Sequence, residues 1–77
     1  MRVRMTHKDP KQSADFTSTV WESEDDYGNG IFLDIRKNGN EFKYVDCRYM
    51  KDFSEEKILK KILQDYYGEN IVAIEIV

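Results

Sequence analysis

Asn38-Gly39 stands between two alternating apolar runs, and it restricts the fold of this chain more than any other stretch. Asn-Gly supplies the two consecutive positive-φ residues of a type I′ turn, whose twist matches that of paired strands. With these two as the loop of a hairpin over residues 30–49, the register follows. Lys37 faces Asn40, Arg36 faces Glu41, Ile35 faces Phe42, Asp34 faces Lys43, Leu33 faces Tyr44 and Phe32 faces Val45. Arg36–Glu41 and Asp34–Lys43 then pair opposite charges on one face, each worth roughly 0.2–1 kcal/mol. Ile31, Leu33, Ile35, Phe42 and Tyr44 make the other face apolar. A slip of one residue would turn every side chain of one strand over, so this register is the self-consistent one.

Beyond Val45 the alternation fails. Asp46 and Arg48 fall on the apolar face, whereas Phe32, Val45, Cys47 and Tyr49 fall on the charged one. Either a β-bulge near Asp46 resets the strand, or the hairpin is apolar on both faces at its open end.

The remaining segments assemble around this hairpin. Arg2–His7 alternates and reads as a short, polar strand near a sheet edge. Residues 8–15 carry the one proline and read as an exposed loop. Phe16–Glu22 is rich in β-branched and aromatic residues; this second strand has Phe16, Ser18 and Val20 on one face and Thr17, Thr19 and Trp21 on the other. Residues 23–30 read as a second loop. A helix is expected over residues 52–68, opened by Ser54 as N-cap (or by Asp52) and closed by Gly68. Glu55 and Glu56 complement its dipole, and Phe53 and Ile58 stand at the positions of a hydrophobic staple. Ile58, Leu59, Ile62, Leu63 and Tyr66 form its apolar stripe, with Lys57, Lys60, Lys61, Gln64 and Asp65 opposite. Ile71–Val77 is apolar on both faces except for Glu75. That pattern suits a strand inside the sheet, parallel to the 41–49 strand after a right-handed crossover. The expected fold is α+β: a mainly antiparallel sheet of about five strands with one helix on one face, in the order β-β-β-β-α-β.

Seventy-seven residues make one small domain, which buries about 60–65% of its unfolded surface. The hydrophobic fraction of 40% provides one modest core. With 35% charged residues and a mean hydropathy of −0.71, the rest is well solvated. A net charge of −3 and a pI near 5.1 argue against generic attraction to phosphate backbones. Cys47 is the single cysteine, which excludes an intramolecular disulfide. No apolar run reads as a signal peptide or a membrane span, so a cytoplasmic protein is expected.

The groups that could carry chemistry each have a plainer reading. His7 is the one histidine, with no second His or Cys at a metal-ligand spacing. Cys47 has no neighbouring base in sequence and reads as a structural thiol. No glycine-rich phosphate loop is present, because Gly28-Asn29-Gly30 leads into a strand. The acids Glu22, Glu24, Asp25 and Asp26 lack the oxygen spacing of a calcium loop. They read as a solvated loop or as a recognition surface for a basic partner. No catalytic residue, metal or cofactor is therefore expected.

One helix covers one face of a sheet, and Trp21 and Phe32 fall on the uncovered face. Apolar residues there point to a dimer or partner surface. The expected function is a non-enzymatic protein-interaction module, such as an inhibitor, adaptor or accessory factor. Its partner-binding residues would be Trp21, Glu22, Glu24, Asp25, Asp26, Tyr27 and Phe32. The alternative is a nucleic-acid-binding domain using sheet aromatics, as RNA-recognition sheets do, or the lysine face of the helix. The abundance of Lys, Ile, Asn, Asp and Tyr resembles that of small accessory proteins of phages and mobile elements.

Overall fold

The computed structural model describes residues 1–25, 28–48 and 50–77, with side chains described outside 23–29 and 49. The elements are β1 (Arg2–His7), a 3-10 turn (Pro10–Gln12), β2 (Ala14–Asp25), β3 (Gly28–Lys37), β4 (Asn40–Asp46), α1 (Glu55–Tyr67), a second 3-10 turn (Gly68–Asn70) and β5 (Ile71–Ile76). The five strands form one antiparallel sheet in the order β4-β3-β2-β1-β5, with the helix against one face: an α+β fold.

The Asn38-Gly39 turn forms as its chemistry dictates, with φ of 49° and 85°. It is also tied to the start of β2. Asn38 N–H donates to Asp15 O (2.8 Å), and Asp15 N–H donates to Asn38 Oδ1 (3.0 Å). Next to the turn, Lys37–Asn40 and Arg36–Glu41 pair as expected, but the register then shifts, and Ile35, Asp34, Leu33 and Phe32 face Lys43, Tyr44, Val45 and Asp46. Phe42 is the extra residue. The bulge that resets the alternation therefore lies four residues earlier than Asp46. Its physical reason is the aromatic cluster under the end of α1. Phe42 meets Phe16 edge-on at 5.1 Å and Tyr66 at 4.6 Å, while Lys43 Nζ lies 5.9 Å over the Tyr66 ring. After the bulge, Val45 and Cys47 turn to the core and Tyr44 and Asp46 turn away from it.

Two further expectations are corrected, and one holds. Residues 23–25 and 28–30 are strand where a loop was expected: β2 and β3 pair out to Asp25–Gly28. Strand β1 lies near an edge as expected, one position in, between β2 and β5. Strand β5 is not inside the sheet but at its far edge, antiparallel to β1. It does run in the same direction as β4, as a crossover requires, but with three strands between them. The outer edge of β4 is charged and bulged, so the apolar 71–76 segment pairs instead with β1, where Ile71 and Ile74 pack against the core.

The core lies between the sheet and α1. Val3 and Met5 of β1, Phe16 of β2, Leu33 and Ile35 of β3, and Leu59 and Leu63 of α1 are completely buried. The helix begins at Ser54, whose Oγ accepts from Lys57 N–H, and ends at Gly68 with φ 53°. Ile58 and Ile62 extend its apolar stripe, but Tyr67 rather than Tyr66 packs against the buried cluster. Among the described residues, no helix is long and apolar enough to cross a membrane.

Candidate functional site

The helix covers the face bearing Phe16, Leu33 and Ile35. Strand alternation sends Thr17, Thr19 and Trp21 of β2, Phe32, Asp34 and Arg36 of β3, and Tyr44 and Asp46 of β4 to the opposite face. Its distal part is aromatic. Trp21 faces Phe32 across β2–β3, and Tyr44 of β4 stacks on Phe32 with centroids 5.3 Å apart. Trp21 is 55% exposed and Tyr44 59%, large values for aromatic side chains on a regular sheet.

Arg48 completes this row. Its guanidinium lies 5.4 Å from the centre of the Phe32 ring and is held by Asp46 through Nη2–Oδ2 (2.7 Å) and Nε–Oδ2 (2.9 Å). The Arg48 side chain and backbone N–H keep the Asp46 carboxyl below the usual carboxylate range. Gly30 provides the room: a Cβ there would stand 2.9 Å from Arg48 Cδ and from Phe32 Cε2. A side chain at this position would force Arg48 or Phe32 to shift.

The bulge shapes a shallow groove beside Tyr44, about 270 Å³ in volume and lined by Asp34, Glu41, Phe42, Lys43 and Tyr44. Asp34 accepts from Arg36 Nε (3.2 Å). Further along the same face, Asp15 is gripped by Arg2 Nη2 (2.6 Å) and Arg4 Nε (3.0 Å). The Arg4 hydrogen bond, then that of Arg2, holds its carboxyl below the usual range. The face is thus aromatic at one end and threaded by paired charges toward β1.

The residues expected at the site separate into three groups. Trp21 and Phe32 are brought together on the open face. Glu22 is exposed on the adjoining strand position, opposite Ile31. Glu24 and Asp25 continue β2, opposite Asn29 and Gly28. Asp26 and Tyr27 lie outside the described residues. Sequence reasoning missed Tyr44, Asp46 and Arg48, which the Phe42 bulge moves to this face, and the role of Gly30.

Groups with potential for covalent chemistry are occupied structurally. Cys47 is 2% exposed, and burial, with a smaller effect from Asp46, pushes its thiol pKa up; its Sγ lies 3.7 Å from Val45 O. His7 Nδ1 accepts from Asp9 N–H (2.9 Å), and its ring meets Tyr67 edge-on at 5.7 Å. Among the described residues, no three His, Cys, Asp or Glu side chains converge to hold a metal ion. Comparison with protein-family models, curated proteins and solved structures found no match to this chain.

Proposed function

We propose that this domain is a non-enzymatic protein-interaction module, an inhibitor, adaptor or accessory factor acting in the cytoplasm. It docks one partner on its open sheet face. The observation that carries this reading is the exposure of Trp21 and Tyr44 on either side of Phe32, on the face away from the helix. Rigid aromatics held by strands cost little conformational entropy to bury, and Trp and Tyr dominate interface hot spots. The partner's chemistry follows from the surroundings. Asp34 and Glu41 line the groove beside Tyr44, whereas Glu22, opposite Ile31, alternates to the other face from Trp21. An apolar surface with a basic rim complements this combination.

Stacked nucleic-acid bases would also suit aromatic rings, but Arg36 and Arg48 on this face are already engaged by Asp34 and Asp46, and the formal net charge is −3. On the helix, Lys60 is paired with Glu56 at 3.0 Å.

The test is affinity capture with and without nuclease, using wild-type protein and the Trp21→Ala/Tyr44→Ala variant, followed by titration with the recombinant partner. A protein retained after nuclease treatment is expected to bind the double variant at least about 30-fold more weakly, the loss of a hot spot worth ~2 kcal/mol. Undiminished binding by that variant would overturn the reading. Capture abolished by nuclease would replace it with nucleic-acid binding.

A further inference from the structure

We propose that the outer edge of β5 pairs with β5 of a second copy of this chain, antiparallel about a twofold axis. The two edges of the sheet differ. Strand β4 is guarded by Asn40, Glu41, Lys43, Asp46 and the Phe42 bulge, the devices that keep a free edge from pairing. Strand β5, IVAIEI, has no lysine, arginine or proline, and its one charge is Glu75. Its irregularity lies at its start, between the Ile71 and Ala73 pairings, and leaves Ala73–Ile76 regular. Val72 is 63% exposed and Ile76 58%.

Hydrogen-bond direction shows which backbone groups are available. Val3 faces Ile76, and so Arg2 faces Val77. Val77 N–H donates to Arg2 O (3.1 Å), which makes this a hydrogen-bonded pair. By alternation, Glu75 and Ala73 also direct their N–H and C=O groups at β1, whereas those of Ile74 and Ile76 point outward, open to water or to another strand. The side chains select a self-complementary register. Centring the twofold on Ile74 sets Ile74 against its own copy and Glu75 against Ala73 within the regular stretch, and brings Ile76 to Val72, the extra residue at the irregularity. Centring it on Glu75 would oppose two carboxylates, which is destabilising. The resulting continuous sheet doubles the five strands of each copy. Its twofold is perpendicular to the sheet, so both open faces lie on the same side, with their aromatic rows toward the outer ends.

This association is independent of the partner-docking face, and its test separates the two. Sedimentation and light scattering of the full chain are expected to show a dimer. The backbone amides of Ile74 and Ile76 should exchange more slowly as concentration rises, while those of Ala73 and Glu75 are protected throughout. Val72→Lys/Ile76→Lys is expected to lose the dimer with an unchanged circular-dichroism spectrum, and Trp21→Ala/Tyr44→Ala is expected to keep it. A monomer at the highest soluble concentration would overturn the proposal. So would a dimer in which the Ile74 and Ile76 amides stay fast, a readout that needs no variant to fold.

Discussion

Single side chains on this sheet are placed by partners that the chain supplies from elsewhere. Asp15 shows how that placement becomes a property. Its carboxylate is held by Arg4 and Arg2 from the neighbouring strand, which depresses its pKa in the folded state. In the window below the ordinary aspartate value of about 3.9, the unfolded chain binds the proton before the folded one does. The stabilisation is therefore complete above that value and is lost as pH falls through the depressed folded pKa. Thermal melts of wild type and Asp15→Asn are expected to differ at neutral pH and to converge in strong acid. A gap that is constant with pH would contradict this, because the Asn38 contacts use the Asp15 backbone and survive the substitution. Asp46, held by Arg48, adds to the same acid sensitivity. Cys47 belongs to the same scale: burial, with a smaller effect from Asp46, raises its thiol pKa and so lowers its thiolate fraction.

At the scale of elements, local chemistry was legible where it is self-contained. The Asn38-Gly39 turn, the faces of β2, and the caps of α1 at Ser54 and Gly68 follow from residue type and period. Leu59 and Leu63 fall at the buried centre of the helical stripe. Leu63→Ala is expected to cost about 2–5 kcal/mol, transfer plus cavity, read as a lower denaturation midpoint with an unchanged slope. Lys61→Ala, on the solvent side, is expected to move it little. What local chemistry could not fix is where elements meet. The failure of alternation after Val45 signalled a bulge, but its site depends on Phe42 reaching Phe16 and Tyr66, contacts 26 and 24 residues away in sequence. Placing the bulge at Phe42 reconciles the whole strand, since Val45 and Cys47 then point in and Tyr44 and Asp46 point out. The acidic 22–26 segment misled for a different reason: glycine and acidic residues read as a loop, whereas cross-strand pairing to β3 carries β2 out to Asp25.

For the whole molecule, sheet order is a competition among edges. An apolar C-terminal run signals burial, but the run here is satisfied by covering the open side of β1 while still presenting Val72 and Ile76 to solvent. Trp21 and Phe32 were legible as residues of the uncovered face because a period of two puts them there, but their direct pairing depends on the β2–β3 register. Tyr44, Arg48 and the groove beside them were not, because they depend on the displaced bulge. The same architecture gives the docking face its most direct test. Trp21 is the only tryptophan in the chain, so its fluorescence reports on that face alone. In the free protein it is expected to emit as a water-exposed indole and to be readily quenched by acrylamide. Binding of the captured partner should shift its emission to shorter wavelength and protect it from the quencher. Unchanged emission and quenching at saturating partner would contradict the account, because the aromatic row would then lie outside the interface.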